Sequence, residues 1–285
     1  MRHLFALLTT LLMMSLLPTL ATAGTLEEIA ERGTVRLGFR ESEPPMSFLD
    51  KDQKAIGYSI DLCMRIVNEV KTALDKPEIS AEFVPVTATS RFQAIQDGSI
   101  DILCGSTTKT LARSELVDFT QLTFVTGTAM LSLEGSPVNS IADIQGKKVA
   151  VVKDTTTIEA LSKAMKDAVS SAEIVPVATA AEGMKALLSK EVDAYSSDQV
   201  VLIGLVLTHS GDEKFVISQE LISFEPFALA VRRDDSDFRL VANRVLSQLY
   251  RSGQIIPIYK KWFGPFSDEV PDLVEAMYIL NAVPE

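Results

Sequence analysis

The sequence predicts an α/β protein of two lobes separated by a cleft, and three observations carry that expectation. Short apolar runs with strand periodicity alternate along the chain with stretches of helical periodicity. About 262 residues follow an N-terminal leader, too many for one small core and comfortable for two lobes of ordinary size. A weak internal echo relates Glu82-Phe83-Val84-Pro85-Val86, a helix and Ile100-Asp101 to Glu173-Ile174-Val175-Pro176-Val177, a helix and Val192-Asp193. Generic strand-helix-strand alternation also produces such echoes, and the architecture does not depend on this one.

Residues 1–23 read as a secretory signal peptide. Arg2 supplies the basic start, Leu4 to Leu20 the apolar run, and Ala21-Thr22-Ala23 the small-residue cleavage site before Gly24. A retained membrane anchor is the alternative, because the run approaches the roughly 20 residues of a bilayer span. Pro18, the cleavage site and the lack of a second hydrophobic span in the sequence favour removal, hence no membrane insertion after cleavage. No Cys lies near the site to accept a lipid.

The formal net charge is −11, or −12 once Arg2 leaves with the leader. Such an acidic surface repels nucleic acid and anionic lipid, so neither is an expected partner. The only histidine after the leader is His209, which leaves metal binding without support. The chain has no G-x-S-x-G, Walker A or dinucleotide-type glycine turn, and no cofactor is expected.

In chain order, Val35, Leu37 and Phe39 alternate with other residues as one face of a strand. Arg40 follows at its C-terminal end, where ligands gather in open α/β sheets. After a Pro44-Pro45 turn, Ile60, Met64, Val67, Val70 and Leu74 predict a helix on that sheet, with Cys63 at the edge of the stripe. Cys63 and Cys104 are the only cysteines, and an exported protein meets an oxidising compartment, so a single disulfide is expected. Its loop of about 42 residues is worth roughly 4 kcal/mol on the chain-entropy account. Two separately buried thiols are the alternative.

From Asp101 to Arg113, a short apolar strand, a glycine turn, hydroxyls and a guanidinium come in succession, a pattern suited to a small carboxylate. Leu122 to Leu133 reads as a long strand that can bend at Gly127, and Leu221 to Arg232 as a second extended run. Two such crossings form a two-strand hinge. The first lobe is then discontinuous, 24–127 and 226–285, and the second is 128–225. In the second lobe, Thr155, Thr156 and Thr157 stand between the strand Val149 to Val152 and a helix, whose N-terminus attracts an anion. Asp198 follows the strand Val192 to Tyr195 and could equally cap the helix that begins at Val200. Ser106 and Thr108 carry the same ambiguity. A helix over Asp237 to Arg251 and the Tyr259 to Phe263 cluster complete the first lobe, with Trp262 expected to seal its core rather than stack on a ligand.

Several of these segments resemble the periplasmic solute-binding proteins of polar amino-acid ABC importers. They are Gly57-Tyr58-Ser59-Ile60-Asp61, Cys104-Gly105-Ser106-Thr107-Thr108 with Arg113, and Tyr259 to Phe263. Phe39-Arg40-Glu41-Ser42 and Thr87-x-x-x-Arg91 resemble the glutamate/aspartate-binding branch in particular. The resemblance implies a two-lobe type II periplasmic binding protein fold that closes around one amino acid and delivers it, as a monomer, to an ABC transporter permease. By the same resemblance Arg113, Ser106 and Thr108 take the α-carboxylate, Thr156 grips it from the second lobe, and Asp198 accepts the α-ammonium. Arg40 and Arg91 meet an acidic side chain. Two positions depart from the branch: Ala88 replaces its usual Ser, and near Ala180 its His is missing.

Two other functions compete. Some secreted dehydratases resemble these binding proteins, and acid-base catalysis would call on Glu41 or Glu43, around which no catalytic spacing is found. A sensory module presenting its bound form to a membrane receptor would use the same lobe closure.

Overall fold

The computed structural model describes residues 24–267 and 269–285; the expected leader lies outside the described residues. Two five-stranded sheets organise the chain. The first contains β1 (Thr34–Phe39), β5 (Ser80–Pro85), β6 (Ile102–Cys104), β7 (Asp118–Thr126) and β13 (Glu225–Val231), in the order β5-β1-β6-β13-β7. The second contains β8 (Thr128–Leu133), β9 (Lys148–Val152), β10 (Glu173–Val177), β11 (Ala194–Asp198) and β12 (Phe215–Ile217), in the order β10-β9-β11-β8-β12. In both, three parallel strands are followed by antiparallel ones. The two echo segments occupy the same place, since β5 and β10 are each the edge strand beside a central parallel strand. A third, three-stranded sheet of β2 (Ser42–Glu43), β3 (Ser47–Leu49) and β4 (Ala55–Ile56) was not foreseen from sequence; its strands are too short for periodicity to show.

Helix α2 (Tyr58–Ala73) follows α1 (Thr25–Arg32) and covers the first sheet. It buries Ile60, Leu62, Cys63, Ile66, Val67 and Val70, whereas Met64 and Leu74 are only half-buried. The buried face is therefore rotated from the expected stripe and centred near Cys63, because α2 packs on both the sheet and the later helix α7 (Ser236–Arg251). Cys63 and Cys104 are joined in a disulfide with a Cα separation of 6.3 Å, tying α2 to β6.

At Gly127 the chain passes from β7 in the first sheet to β8 in the second. A Cβ there would lie 2.4 Å from the Ser223 carbonyl oxygen, so the outgoing and returning segments run too close for a side chain. The first lobe is completed by α7, α8 (Ile255–Phe263) and α9 (Asp272–Leu280), the last packed on β7. Trp262 sits outside the cleft: its Nε1 donates to Asp61 Oδ2 at 2.7 Å and its ring meets Phe48 edge-on at 5.9 Å.

Candidate functional site

Parallel pairing brings the chemistry together. Because β1 and β6 are parallel neighbours with Phe39 opposite Cys104, the residues that leave them, Arg40 on one side and Ser106 to Thr108 on the other, emerge side by side. In the second lobe β9 and β11 are also parallel neighbours, so Thr155 to Thr157 and Asp198 emerge together. All four segments lie at C-terminal strand ends, where the topology leaves a crevice. Arg91 opens α3 (Arg91–Gln96), and Arg113 opens a single 3-10 turn. The structure thus gathers Arg40, Arg91, Ser106, Thr108, Arg113, Thr156 and Asp198 around one narrow, nearly filled space of about 20 Å³.

Neither Asp198 nor Thr155 acts as a helix cap through its side chain. Asp198 precedes α6 (Gln199–Thr208) without a side-chain capping bond, and its buried Oδ1 has no hydrogen-bond partner. Thr155 precedes α4 (Thr156–Asp167), but its hydroxyl donates to the Val152 carbonyl at 2.6 Å. The first N–H groups of α4 thus receive no Thr155 side-chain cap on the side facing the cleft. Ser106 donates to Glu43, and Thr108 to Glu225, so neither caps a helix.

Three guanidinium groups converge here. Arg113 donates to the Thr108 carbonyl at 2.9 Å. Arg91 donates to the backbone carbonyls of Ala88 and, at 3.0 Å, Asp154. Both cations lie over the Phe92 ring, 4.5 Å away for Arg91 and 5.5 Å for Arg113. Asp154 is in the left-handed region (φ 60°), a conformation Asp tolerates, and this turn presents its carbonyl to Arg91. Burial, with Arg113 and Arg40 nearby, pulls the Arg91 pKa down to about 9. Burial also lowers that of Arg113, against the pull of Glu225 and Asp198. Asp198 is pushed well above the usual carboxylate range by burial and then by Glu225 and Glu43.

Two site residues escaped the sequence reading. Glu225 is 2% exposed at the start of β13. Its Oε2 accepts from Thr108 at 2.6 Å and from Thr156 at 2.8 Å, joining the lobes, while Ser223 donates to its Oε1 at 2.6 Å. A carboxylate opening an otherwise apolar strand at the return crossing was the available signal. Glu43, considered only as an acid-base candidate, pairs with Arg40 at 2.8 Å inside the cleft. Ala88, where the branch has Ser, still contributes a carbonyl to Arg91, and Ala180 brings no imidazole to the cleft. Among the described residues no group of His, Cys, Asp and Glu is arranged to hold a metal ion.

The lobes touch on both sides of the crevice. Thr89 donates to Asp154 Oδ2 at 2.5 Å, and α6 approaches the Pro44-Pro45 turn so closely that a Cβ on Gly204 would lie 2.1 Å from the Pro44 carbonyl oxygen. A wider depression bordered by Leu133, Leu187, Val192 and Lys214 lies elsewhere in the second lobe; the polar residues lining it are all exposed.

A profile of bacterial extracellular solute-binding proteins, family 3, matches residues 35–265. An L-glutamate/L-aspartate-binding protein of Pseudomonas aeruginosa is 35% identical over 242 residues, 84% of this chain and 80% of that one. A glutamate/aspartate import solute-binding protein of Escherichia coli is 30% identical over 243 residues, 85% and 80% of the two chains. Among solved structures, an ancestral arginine-binding protein bound to arginine superposes with a TM-score of 0.73 at 30% identity, covering 81% of this chain and 99% of its own. The relatives named here are binding proteins rather than enzymes. With parallel strand ends from two lobes meeting over a charged crevice, and with likeness over most of its length, the chain belongs to the bacterial extracellular solute-binding proteins of family 3.

Proposed function

We propose that the chain captures a polar α-amino acid with an acidic side chain, glutamate or aspartate, in this crevice and delivers it to the permease of an ABC importer. The observation that carries the reading is the meeting of three guanidinium groups, those of Arg40 and Arg91 buried and that of Arg113 half-buried, with one unpartnered carboxylate oxygen, the charge pattern complementary to an anionic amino acid. The names of the relatives from Pseudomonas aeruginosa and Escherichia coli point the same way.

Arg113 offers its planar fork to the α-carboxylate, with Ser106 and Thr108 beside it and Thr156 at the start of α4 facing it from the second lobe. Asp198 accepts the α-ammonium. The ligand's positive charge removes the penalty of an ionised, half-buried carboxylate among two others. Arg91, hydrogen-bonded to backbone carbonyls and lying over the Phe92 ring, takes the side-chain carboxylate, with Arg40 behind it. Glu225 accepts the hydroxyl protons of Thr108 and Thr156, and each hydroxyl turns away from it to donate to an arriving α-carboxylate.

The working unit is a monomer in the periplasm, exported by residues 1–23 and freed on their removal. Residues 24–127 and 226–285 form one lobe and 128–225 the other. Ligand binding holds the lobes together, and the closed outline is what the permease reads. No bond in the ligand changes. Calorimetry with the common amino acids tests the reading: glutamate or aspartate should bind, and Arg113→Ala should abolish binding of every amino acid. Heat from none of them would refute it.

A further inference from the structure

We infer that Glu43 is a specificity-determining residue, a built-in carboxylate that occupies Arg40 and makes the side-chain end of the crevice accept an amide as well as an acid. The inference rests on the function proposed above and refines its substrate class to a carboxylate side chain and the corresponding carboxamide.

The geometry fixes Glu43 firmly. Its Oε1 lies 2.8 Å from Arg40 Nη2, and the two side chains are 9% and 6% exposed. Its other oxygen accepts from the Ser106 hydroxyl. Backbone pairing of Glu43 with Ser47 and the bond from Arg40 N–H to Ser47 Oγ at 2.9 Å hold both partners on the β2-β3 hairpin. Both residues belong to the first lobe's part of the site, so the pair does not need the second lobe to form.

Charge accounting then separates the arginines. Arg40 already has a carboxylate. Arg91 is bonded to the carbonyls of Ala88 and Asp154, its Nε has no partner, and among the described residues no carboxylate is hydrogen-bonded to it. Its guanidinium is disfavoured by burial and by the neighbouring cations, so an incoming acceptor oxygen relieves it. The side-chain end therefore presents one cation that has no hydrogen-bonded carboxylate, only the through-space pull of Glu43 and Asp154, beside one fixed anion.

An acidic side chain gains Arg91 but is repelled by Glu43. An amide turns its oxygen to Arg91 and donates its NH₂ to Glu43, satisfying both. Without Glu43, two guanidinium groups would face the ligand, and an acid would be strongly preferred.

The test is calorimetric titration of wild-type, Glu43→Gln and Glu43→Ala proteins with glutamate and with glutamine. Wild type is expected to bind both, with dissociation constants within about tenfold of each other. Each substitution should tighten glutamate and weaken glutamine, moving their ratio by about tenfold or more, the value of one charge-assisted contact. A wild-type protein that binds glutamate but discriminates against glutamine by more than a hundredfold overturns the inference, and this arm needs no variant to fold. So does an unchanged ratio in both variants. If wild type binds neither compound nor any other polar amino acid, the function proposed above fails and this inference falls with it, an outcome distinct from the other two.

Discussion

Closure of the crevice depends on a residue with no side chain. Gly204, in the middle of α6, faces the backbone of the Pro44-Pro45 turn, and the Cβ of Gly204→Ala would stand 2.1 Å from the Pro44 oxygen, 2.4 Å from its carbonyl carbon and 2.8 Å from Pro45 Cδ. Ordinary contact needs about 3.5 Å, so the lobes must part by roughly 1.4 Å; the nearest two atoms are backbone and cannot rotate aside. A gap of that size breaks bonds that link the two sheets across the crevice, among them Thr156 to Glu225 at 2.8 Å and Arg91 to the Asp154 carbonyl at 3.0 Å. Each of the two involves a charged group, at about 1.5–3 kcal/mol, so closure loses roughly 3–6 kcal/mol. Ligand affinity should fall by about 100-fold or more. Ala is also the better helix former, by about 1 kcal/mol, so the ligand-free protein should melt no lower than wild type. Calorimetry with glutamate and thermal melting with and without it separate the two effects. Affinity within threefold of wild type would refute the idea that this contact governs closure.

Asp198→Asn should cost glutamate binding about 30-fold or more, since the ammonium loses a buried ionic partner, yet raise the melting temperature of the ligand-free protein at neutral pH. Because the folded-state pKa of Asp198 is raised, the native state binds more protons than the unfolded chain from about pH 4 up to that raised value. Its contribution to stability is therefore lost as pH rises through that window, and the difference between wild-type and variant melting curves should grow over the same range. Replacing Cys63 and Cys104 by Ser should reduce unfolding free energy by about 4 kcal/mol, from the chain entropy of the loop they close, measured by urea titration. Arg91→Ala should weaken glutamate by about tenfold or more and glutamine by less, read from paired calorimetric titrations.

Much of the frame was legible in sequence because it depends on patterns a chain must repeat. The alternation of Val35, Leu37 and Phe39 marked β1, and Gly127 marked the point where one strand becomes two. Arg40, Ser106, Thr108, Thr156 and Asp198 stood out because each follows a recognisable strand, and strand ends are where a parallel sheet exposes its residues. Position, however, did not reveal hydrogen-bond partners. Thr155 and Asp198 have the sequence position of caps, but one hydroxyl turns back to Val152 and the carboxylate remains unpartnered at Oδ1. Glu225 and Glu43 were hidden for a related reason. The partners of Glu225, Thr108 and Thr156, lie more than sixty positions away, as does the Ser106 partner of Glu43, and although Arg40 is only three residues from Glu43, no local periodicity encodes these meetings. The α2 stripe was misplaced by the same kind of distant event, the packing of α7 on its second side.

The placement of β13 between β6 and β7 has a consequence for how the polypeptide acquires its form as it emerges N-terminus first. All strands of the second sheet lie between Thr128 and Ile217, so that sheet can be completed before Glu225 appears. The first sheet must wait with β5, β1 and β6 assembled while β7, whose strand partner is β13, stands unpaired. Long-range pairing of this kind is slow to form, which makes the earlier-born lobe the later to mature.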